Sequence, residues 1–89
     1  MKLTFTELGW QDYLWFQEND PKLLKRINEL IKDTKREPFK GLGKPEPLKV
    51  DLAGYWSRRI NDEHRLVYGV SATELVIISC RFHYHKHKK

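Results

Sequence analysis

The sequence predicts an α+β fold in which two N-terminal helices cover an antiparallel β-sheet. Two segments before Pro38 carry apolar residues at helical spacing, and three later segments are strand-like runs separated by short turns. A chain of 89 residues supports one compact domain, in which nearly every apolar residue has to join the core. So small a core leaves little room for a deep cofactor cavity, which argues against a dinucleotide or haem enzyme and favours a shallow surface site.

The N-terminal half begins with a short predicted strand, Leu3–Phe5, followed by a helix capped by Thr6. Asp20 and Pro21 are the N-cap and the first position of a second helix, which ends before Pro38. The apolar stripes of both helices predict faces buried in the core: Trp10, Tyr13 and Leu14 in the first, then Leu23, Leu24, Ile27, Leu30 and Ile31 in the second.

Residues Pro38–Pro47 are rich in proline and glycine, so we expect a loop there without helix or strand. This segment is not a P-loop, because GLGK lacks the four-residue gap and the Ser or Thr after Lys44. Two four-residue turns, Asn61–His64 and Ser71–Glu74, then predict an antiparallel meander of three strands: Tyr55–Ile60, Arg65–Val70 and Leu75–Phe82.

Alternation along these strands assigns side chains to the two faces of the sheet. Arg58 shares the inward parity of Trp56, so we expect it to snorkel or to lie at an edge. The predicted core face of the meander consists of Trp56, Ile60, Leu66, Tyr68, Val70, Val76, Ile78, Cys80 and Phe82.

The opposite, open face gathers most of the candidate chemistry. A carboxylate and an imidazole on either side of a phosphate can act as general base and general acid, and arginines can bear the developing charge. With RNA as the substrate, the 2′-hydroxyl is the nucleophile and no metal is required. A solvated, merely solubilising face is the alternative. The open-face set is Arg59, Arg65, Arg81 and His83, with Lys44, Glu46 and Lys49 entering from the loop.

Four segments also carry a more specific pattern: KPEPLK at 44–49, GYWSRRI at 54–60, EHRLVY at 63–68 and CRFHY at 80–84. Together with the helical segments, they resemble the YoeB toxins of the RelE/ParE superfamily of toxin–antitoxin systems. The resemblance covers residues 1–84 as a single toxin domain and implies a microbial-ribonuclease-like, RelE-like fold.

The resemblance further implies a ribosome-dependent endoribonuclease that cuts mRNA in the A site. It makes Glu46 the general base, His83 the general acid and Arg65 the residue that stabilises the transition state. It also implies that Lys49 and Arg59 contact phosphate and that Tyr84 orients the base or the acid. Lys44 and Arg81 are further substrate-binding candidates. The implied partners are a YefM-type antitoxin and the ribosome with its rRNA and mRNA. Toxins of this family can also form homodimers, and no cofactor is implied.

The chain extends beyond the usual family end with a basic segment, residues 85–89, which we expect to be mobile. Three lysines in it supply most of the formal net charge of +5. Cys80 is the single cysteine and lies in an apolar run, so we expect a buried thiol, no internal disulfide and a cytoplasmic protein. Neither a secretory signal nor an apolar run long enough to cross a membrane is present.

Two other functions compete with this interpretation. His83, His85 and His87 would lie on one side of an extended chain and could suggest a metal-dependent nuclease, although no Asp lies near them in the sequence and the lysines between them repel a cation. A non-catalytic binding toxin, such as the gyrase-poisoning branch of the superfamily, is the second alternative. For His64 we expect a turn-stabilising or ribosome-contacting role.

Overall fold

A computed structural model describes residues 1–82, which form two helices and one five-stranded sheet. The helices are α1 (Glu7–Asn19) and α2 (Pro21–Arg36). The predicted site residues His83 and Tyr84 and the segment 85–89 lie outside the described residues. The strands are β1 (Lys2–Phe5), β2 (Glu46–Pro47), β3 (Trp56–Arg59), β4 (Arg65–Val70) and β5 (Glu74–Ser79), in the spatial order β1-β5-β4-β3-β2.

Both helix starts are as predicted. The Thr6 hydroxyl accepts a hydrogen bond from the Gly9 amide at 3.0 Å, and Asp20 Oδ1 accepts one from the Leu23 amide at 3.2 Å. Each side chain thus satisfies one of the amides that a helix N-terminus leaves without an intrahelical partner. The predicted apolar stripe of α2 is confirmed, because Ile27, Leu30 and Ile31 are buried.

The buried face of α1 agrees with the prediction at Tyr13, which packs against the core, but differs from it elsewhere. Trp10 is 47% exposed, whereas Gly9, Asp12 and Phe16 are buried. A Cβ at Gly9 would lie 2.5 Å from the Ile77 carbonyl oxygen, so the missing side chain lets α1 approach β5 closely. Hydrophobic spacing could not reveal this face, because a glycine and a carboxylate occupy two of its positions.

The three-stranded meander forms with the predicted antiparallel pairings, β3 with β4 and β4 with β5. At the far edge, however, β1 pairs parallel with β5, so the sheet is mixed. A tight turn between two consecutive strands forces them to pair antiparallel, so the sequence predicts the relative direction of such strands. Because most of the chain separates β1 from β5, no local turn could indicate the direction of that pairing.

Two details of the predicted strands are wrong. Glu46 and Pro47 form the short strand β2 inside the segment expected to be a loop, and they pair with Ser57 and Trp56 of β3. Proline is tolerated there because β2 is an edge strand, where its missing N–H interrupts no central ladder. As a result, Glu46 is held by the sheet.

The second error concerns β5, whose faces were assigned the wrong way round. Leu75 and Ile77 are fully buried, while Val76 and Ile78 are partly exposed on the other face. The run is apolar on both faces, so alternation alone could not select its register. The strand ends at Ser79, and Phe82, which was expected to face the core, is 43% exposed.

Arg58 is fully buried rather than at an edge, and it connects three parts of the fold. Its Nη1 donates to Asp33 Oδ2 of α2 at 2.7 Å, and its Nε donates to the Tyr68 hydroxyl of β4 at 3.2 Å. The guanidinium also donates to three loop carbonyls: Leu42 at 3.0 Å, Glu37 at 2.6 Å and Lys40 at 2.8 Å. Burial of this charge is tolerated because it is paired and its donors find acceptors.

The Arg58 contacts hold the proline- and glycine-rich loop against the sheet. Tyr68 donates its hydroxyl proton to the Pro38 carbonyl at 2.7 Å, and Asp33 Oδ2 also accepts from the Leu42 amide at 3.0 Å. At the end of the loop, the Gly43 carbonyl accepts a hydrogen bond from the Arg59 amide at 2.7 Å. The chain therefore enters β2 from a fixed point.

We expect Arg58→Met to lower the free energy of unfolding by about 3–5 kcal/mol, because it leaves the Asp33 carboxylate and several carbonyls without their buried partner. Urea denaturation followed by circular dichroism measures this change. Arg59→Met is the matched control: its side chain is exposed and its surface ion pair with Asp62 contributes about 1 kcal/mol or less. Equal losses in the two variants would contradict the structural role of Arg58.

The same network predicts a specific acid sensitivity. Hydrogen bonds from Arg58, from the Leu42 amide and from Arg36 lower the pKa of Asp33 from 3.8 to about 2. Because the folded-state pKa lies below the unfolded one, this stabilisation is present above the unfolded pKa of 3.8 and is lost as the pH falls towards 2. We expect the melting temperature of the parental chain to fall more steeply over that range than that of Asp33→Asn, measured by calorimetry. Parallel curves for the two proteins would refute the assignment.

Candidate functional site

A small surface pocket of about 110 Å³ lies where β2, β3 and β4 meet. Four of the residues predicted for the open face line it together, which confirms that the fold brings them into one place. The lining residues are Lys44, Glu46, Ser57, Arg59 and Arg65.

Strand pairing accounts for this arrangement. Glu46 of β2 lies opposite Ser57 of β3, and Arg59 of β3 lies opposite Arg65 of β4. Residues opposite one another share a face of the sheet, and Ser57 and Arg59 share one because they are two positions apart. One diagonal across three strands therefore carries a carboxylate, a hydroxyl and two guanidinium groups. Lys44 joins them from the loop with a left-handed φ of 51°.

The pocket is rich in positive charge around one exposed carboxylate. Arg65 is held in place by its own turn, because its Nη1 donates to the carbonyls of Asn61 at 2.6 Å and His64 at 3.0 Å. Arg59 instead pairs with Asp62, whose side chain is 94% exposed. Such a surface pair is weak and solvated, so an incoming phosphate can replace Asp62 as the partner of Arg59.

Two predicted binding residues lie elsewhere. Lys49 is exposed at the start of a short 3₁₀ turn, Val50–Leu52, and does not line the pocket. Arg81 does not line the pocket either: its guanidinium lies over the Trp15 ring, 3.8 Å from the centroid, and 4.8 Å from that of Phe82, so its substrate-binding role stays a prediction. Arg81 follows the end of β5, where the alternation of faces no longer applies.

Asp12 of α1 fixes the turn that carries Arg81 away from the open face. Its Oδ2 accepts a hydrogen bond from the Cys80 amide at 3.0 Å. Burial raises the pKa of Asp12, partly offset by this bond and by Arg81. The contact joins residues 68 positions apart in the sequence, and no local pattern reports it.

His83 and Tyr84 remain predictions, because they lie outside the described residues. The last described residue, Phe82, lies beside the pocket: its carbonyl accepts a hydrogen bond from the Arg65 amide at 3.2 Å. The chain thus passes next to Arg65 one residue before His83.

Ser57 is not among the site residues predicted from the sequence, although it lies two positions before Arg59 and so shares its face of the strand. Its side chain is only 3% exposed, and it lines the pocket opposite Glu46. Only the register of β2 against β3 reveals this position, and β2 itself was not predicted.

Cys80 is fully buried, as expected for a small apolar side chain. Burial, aided by the nearby Asp12 charge, raises the pKa of its thiol to about 12, so it is a poor nucleophile at neutral pH. Among residues 1–82, no group of three or more His, Cys, Asp or Glu side chains is arranged to hold a metal ion. Neither helix of the described part of the chain is long and apolar enough to cross a membrane.

Comparison with known proteins decides the family. The profile of the family described as "YoeB-like toxin of bacterial type II toxin-antitoxin system" matches residues 5–84. The chain belongs to this family. A curated relative, Toxin YoeB of Synechocystis, is 70% identical over 86 residues, which cover 97% of this chain and 100% of the relative.

Solved structures of YoeB toxins share the fold. A YoeB/ParE toxin from Agrobacterium tumefaciens aligns with a TM-score of 0.91 at 57% identity, covering 94% of this chain and 100% of that one. A YoeB dimer from Staphylococcus aureus aligns with a TM-score of 0.88 at 50% identity, covering 94% and 98% of the two chains. A heterotetrameric YoeB–YefM complex from the same organism gives 0.86 at 50% identity, with the same coverage. These matches confirm the RelE-like α+β fold class expected from the sequence.

Proposed function

We propose that this YoeB-family toxin is a ribosome-dependent, metal-independent endoribonuclease that cleaves mRNA in the A site and thereby stops translation. One observation carries the proposal: the exposed carboxylate of Glu46 lies in one pocket with Lys44, Arg59 and Arg65. Cations alone suffice to bind a phosphate. A carboxylate among them weakens phosphate binding, but it serves a reaction that begins with removal of a proton.

The proposed reaction is an internal transesterification of RNA. Glu46 accepts the proton of the 2′-hydroxyl, whose oxygen bonds to the adjacent phosphorus atom while the bond from phosphorus to the 5′-oxygen breaks. His83 donates a proton to the leaving 5′-oxygen, and Tyr84 orients the base or the acid. The products are a 2′,3′-cyclic phosphate and a 5′-hydroxyl.

The cationic residues stabilise the charge that develops on the phosphate. Arg65 suits this role because its two hydrogen bonds to turn carbonyls hold it in position before the substrate arrives. Arg59 can exchange its solvated partner for a phosphate oxygen. Lys44 adds a further positive charge at the pocket, and Lys49 contacts phosphates farther along the RNA.

The proposed partners follow from the relatives and from charge. Because a Staphylococcus aureus relative is found in a complex with YefM, we infer that a YefM-type antitoxin inhibits this toxin. The dimer of the same relative makes a homodimer a further possible assembly. A formal net charge of +5 favours association with rRNA and mRNA on the ribosome, and hence a cytoplasmic location.

A non-catalytic toxin that binds a protein such as gyrase is the second candidate. The cationic pocket is compatible with binding alone, but Glu46 has no evident purpose in it. A metal-dependent nuclease, suggested by His83, His85 and His87, is the third candidate. The two experiments below separate these alternatives.

Removing the base or the acid should slow cleavage without unfolding the domain. We expect Glu46→Gln and His83→Ala each to reduce the single-turnover rate about 10²- to 10⁴-fold on pre-assembled ribosome–mRNA complexes at saturating toxin. Primer extension measures the cuts. Glu18→Gln, which neutralises an exposed carboxylate on α1, is the matched control and should cleave at the parental rate.

Either variant cleaving at the parental rate would remove that residue from the mechanism. A double variant, Glu46→Gln with His83→Ala, that still arrests growth when expressed would favour the non-catalytic alternative.

The chemistry also predicts the product ends. Cleavage should proceed after addition of EDTA in slight excess over free metal, provided that the ribosomal complex stays assembled, as sedimentation can verify. Mass spectrometry should find a 2′,3′-cyclic phosphate, or the 3′-phosphate formed by its hydrolysis, and a 5′-hydroxyl. A 5′-phosphate would mean that water or metal-bound hydroxide attacks, which is incompatible with a 2′-hydroxyl nucleophile.

A further inference from the structure

The backbone of Phe82 is held by two consecutive residues at the start of β4. Its N–H donates to His64 Nδ1 at 2.8 Å, and its carbonyl accepts from the Arg65 amide at 3.2 Å. One of these residues, Arg65, also lines the candidate active pocket. The geometry therefore ties the chain just before His83 directly to the pocket.

Phe82 requires such support because its backbone is in an unfavourable conformation. Its φ of 61° lies in the left-handed region, which is strained for an aromatic residue. With its side chain 43% exposed, packing alone constrains it weakly. The two hydrogen bonds are thus the contacts best placed to maintain this turn.

The His64 ring is itself firmly held. It is 5% exposed and lies between the rings of Phe16 and Phe82, with centroid distances of 5.1 and 5.5 Å. Its Nε2 lies 3.6 Å from a carboxylate oxygen of Glu63. Because Nδ1 accepts the Phe82 proton, a neutral ring must carry its own proton on Nε2, towards Glu63.

We propose that neutral His64 is a positioning residue of the nuclease: it holds Phe82, the residue that precedes His83 in the sequence, beside Arg65. This inference rests on the proposed function, in which His83 is the general acid. Errors of about 1 Å in the placement of a catalytic group can cost large factors in rate, so a fixed position for the preceding residue has direct kinetic value.

Protonation of His64 would remove the contact, because an imidazolium carries a proton on Nδ1 and cannot accept one from Phe82. Four charged groups act on the ring: Asp12 from α1, Asp20 from the junction between the helices, Glu63 from the turn and Arg81 after β5. Burial lowers the pKa of His64 from its ordinary value of 6.5; Arg81 lowers it further, while Glu63, Asp20 and Asp12 oppose the shift. The contact is therefore intact at neutral pH and lost as the pH falls through the lowered pKa.

Two nearly isosteric variants test the inference. His64→Asn keeps an acceptor oxygen close to the position of Nδ1, whereas His64→Leu has the same branched shape and no acceptor. At saturating toxin, we expect the leucine variant to cleave about 10-fold more slowly than the parental chain, in line with the worth of one hydrogen bond. The asparagine variant should recover to within about threefold, and the toxin concentration giving half-maximal rate should stay unchanged in both.

The pH profile supplies a measurement that a purely structural role would not alter. As the pH is lowered from neutral through the lowered pKa of His64, the parental rate should fall more than that of His64→Asn, which has no titrating group at this position. The other titrating groups are common to both proteins, so the ratio of the two rates isolates His64. This comparison does not need the leucine variant, and urea denaturation verifies that each variant used is folded.

Equal rates for folded asparagine and leucine variants would overturn the proposal, as would superimposable pH profiles for the parental and asparagine proteins. Either result leaves the nuclease function intact if the parental chain cleaves. If the parental chain does not cleave ribosome-bound mRNA at all, the proposed function fails and the role of His64 fails with it.

Discussion

The rest of this structure depends on the hydrogen bonds that the buried guanidinium of Arg58 makes. Its five N–H groups meet a carboxylate of α2, a hydroxyl of β4 and carbonyls of the loop between α2 and β2. That loop contains too much proline and glycine to form regular structure of its own. In a chain too small for a large core, one saturated ion pair provides the order that secondary structure cannot supply there.

The candidate pocket is a consequence of that order. The loop leaves the Arg58 contacts at Gly43, whose carbonyl binds the Arg59 amide, and then places Lys44 and Glu46 at the edge of the sheet. The two neighbouring arginines of β3 therefore have different roles: Arg58 points inward and holds the loop, while Arg59 points outward towards the pocket. Their alternation across one strand couples the stability of the domain to the geometry of the site.

A different set of hydrogen bonds holds the backbone on the C-terminal side of the pocket. A buried imidazole and a backbone amide on adjacent residues, His64 and Arg65, hold Phe82 in a conformation that it would not adopt by itself. Local strain of this kind persists only where the surroundings over-determine the backbone, and such positions tend to adjoin functional groups. The turn before β4 accordingly does more than join two strands: it anchors both the guanidinium of Arg65 and the backbone of Phe82.

The sequence by itself determined the features that depend on neighbours in the chain. Caps, helical periodicity and turn spacing predicted both helices and the β3–β4–β5 meander. Alternation placed Arg59 and Arg65 on one open face, which Glu46 was expected to reach from the loop. The family resemblance supplied their proposed roles. All of these features follow from residues that are close together in the sequence, and the folded structure retains them.

Only the tertiary structure decided the features that join distant segments. The buried state of Arg58 depends on Asp33 and on loop carbonyls that no periodicity connects to β3, and the position of Arg81 depends on Asp12 ending the extended course of the chain at Cys80. The parallel pairing of β1 and the inward face of β5 follow from which strand edge and which apolar face pack best in three dimensions. A polar side chain is buried when its partners converge on it, and that convergence is a property of the folded chain rather than of any one segment.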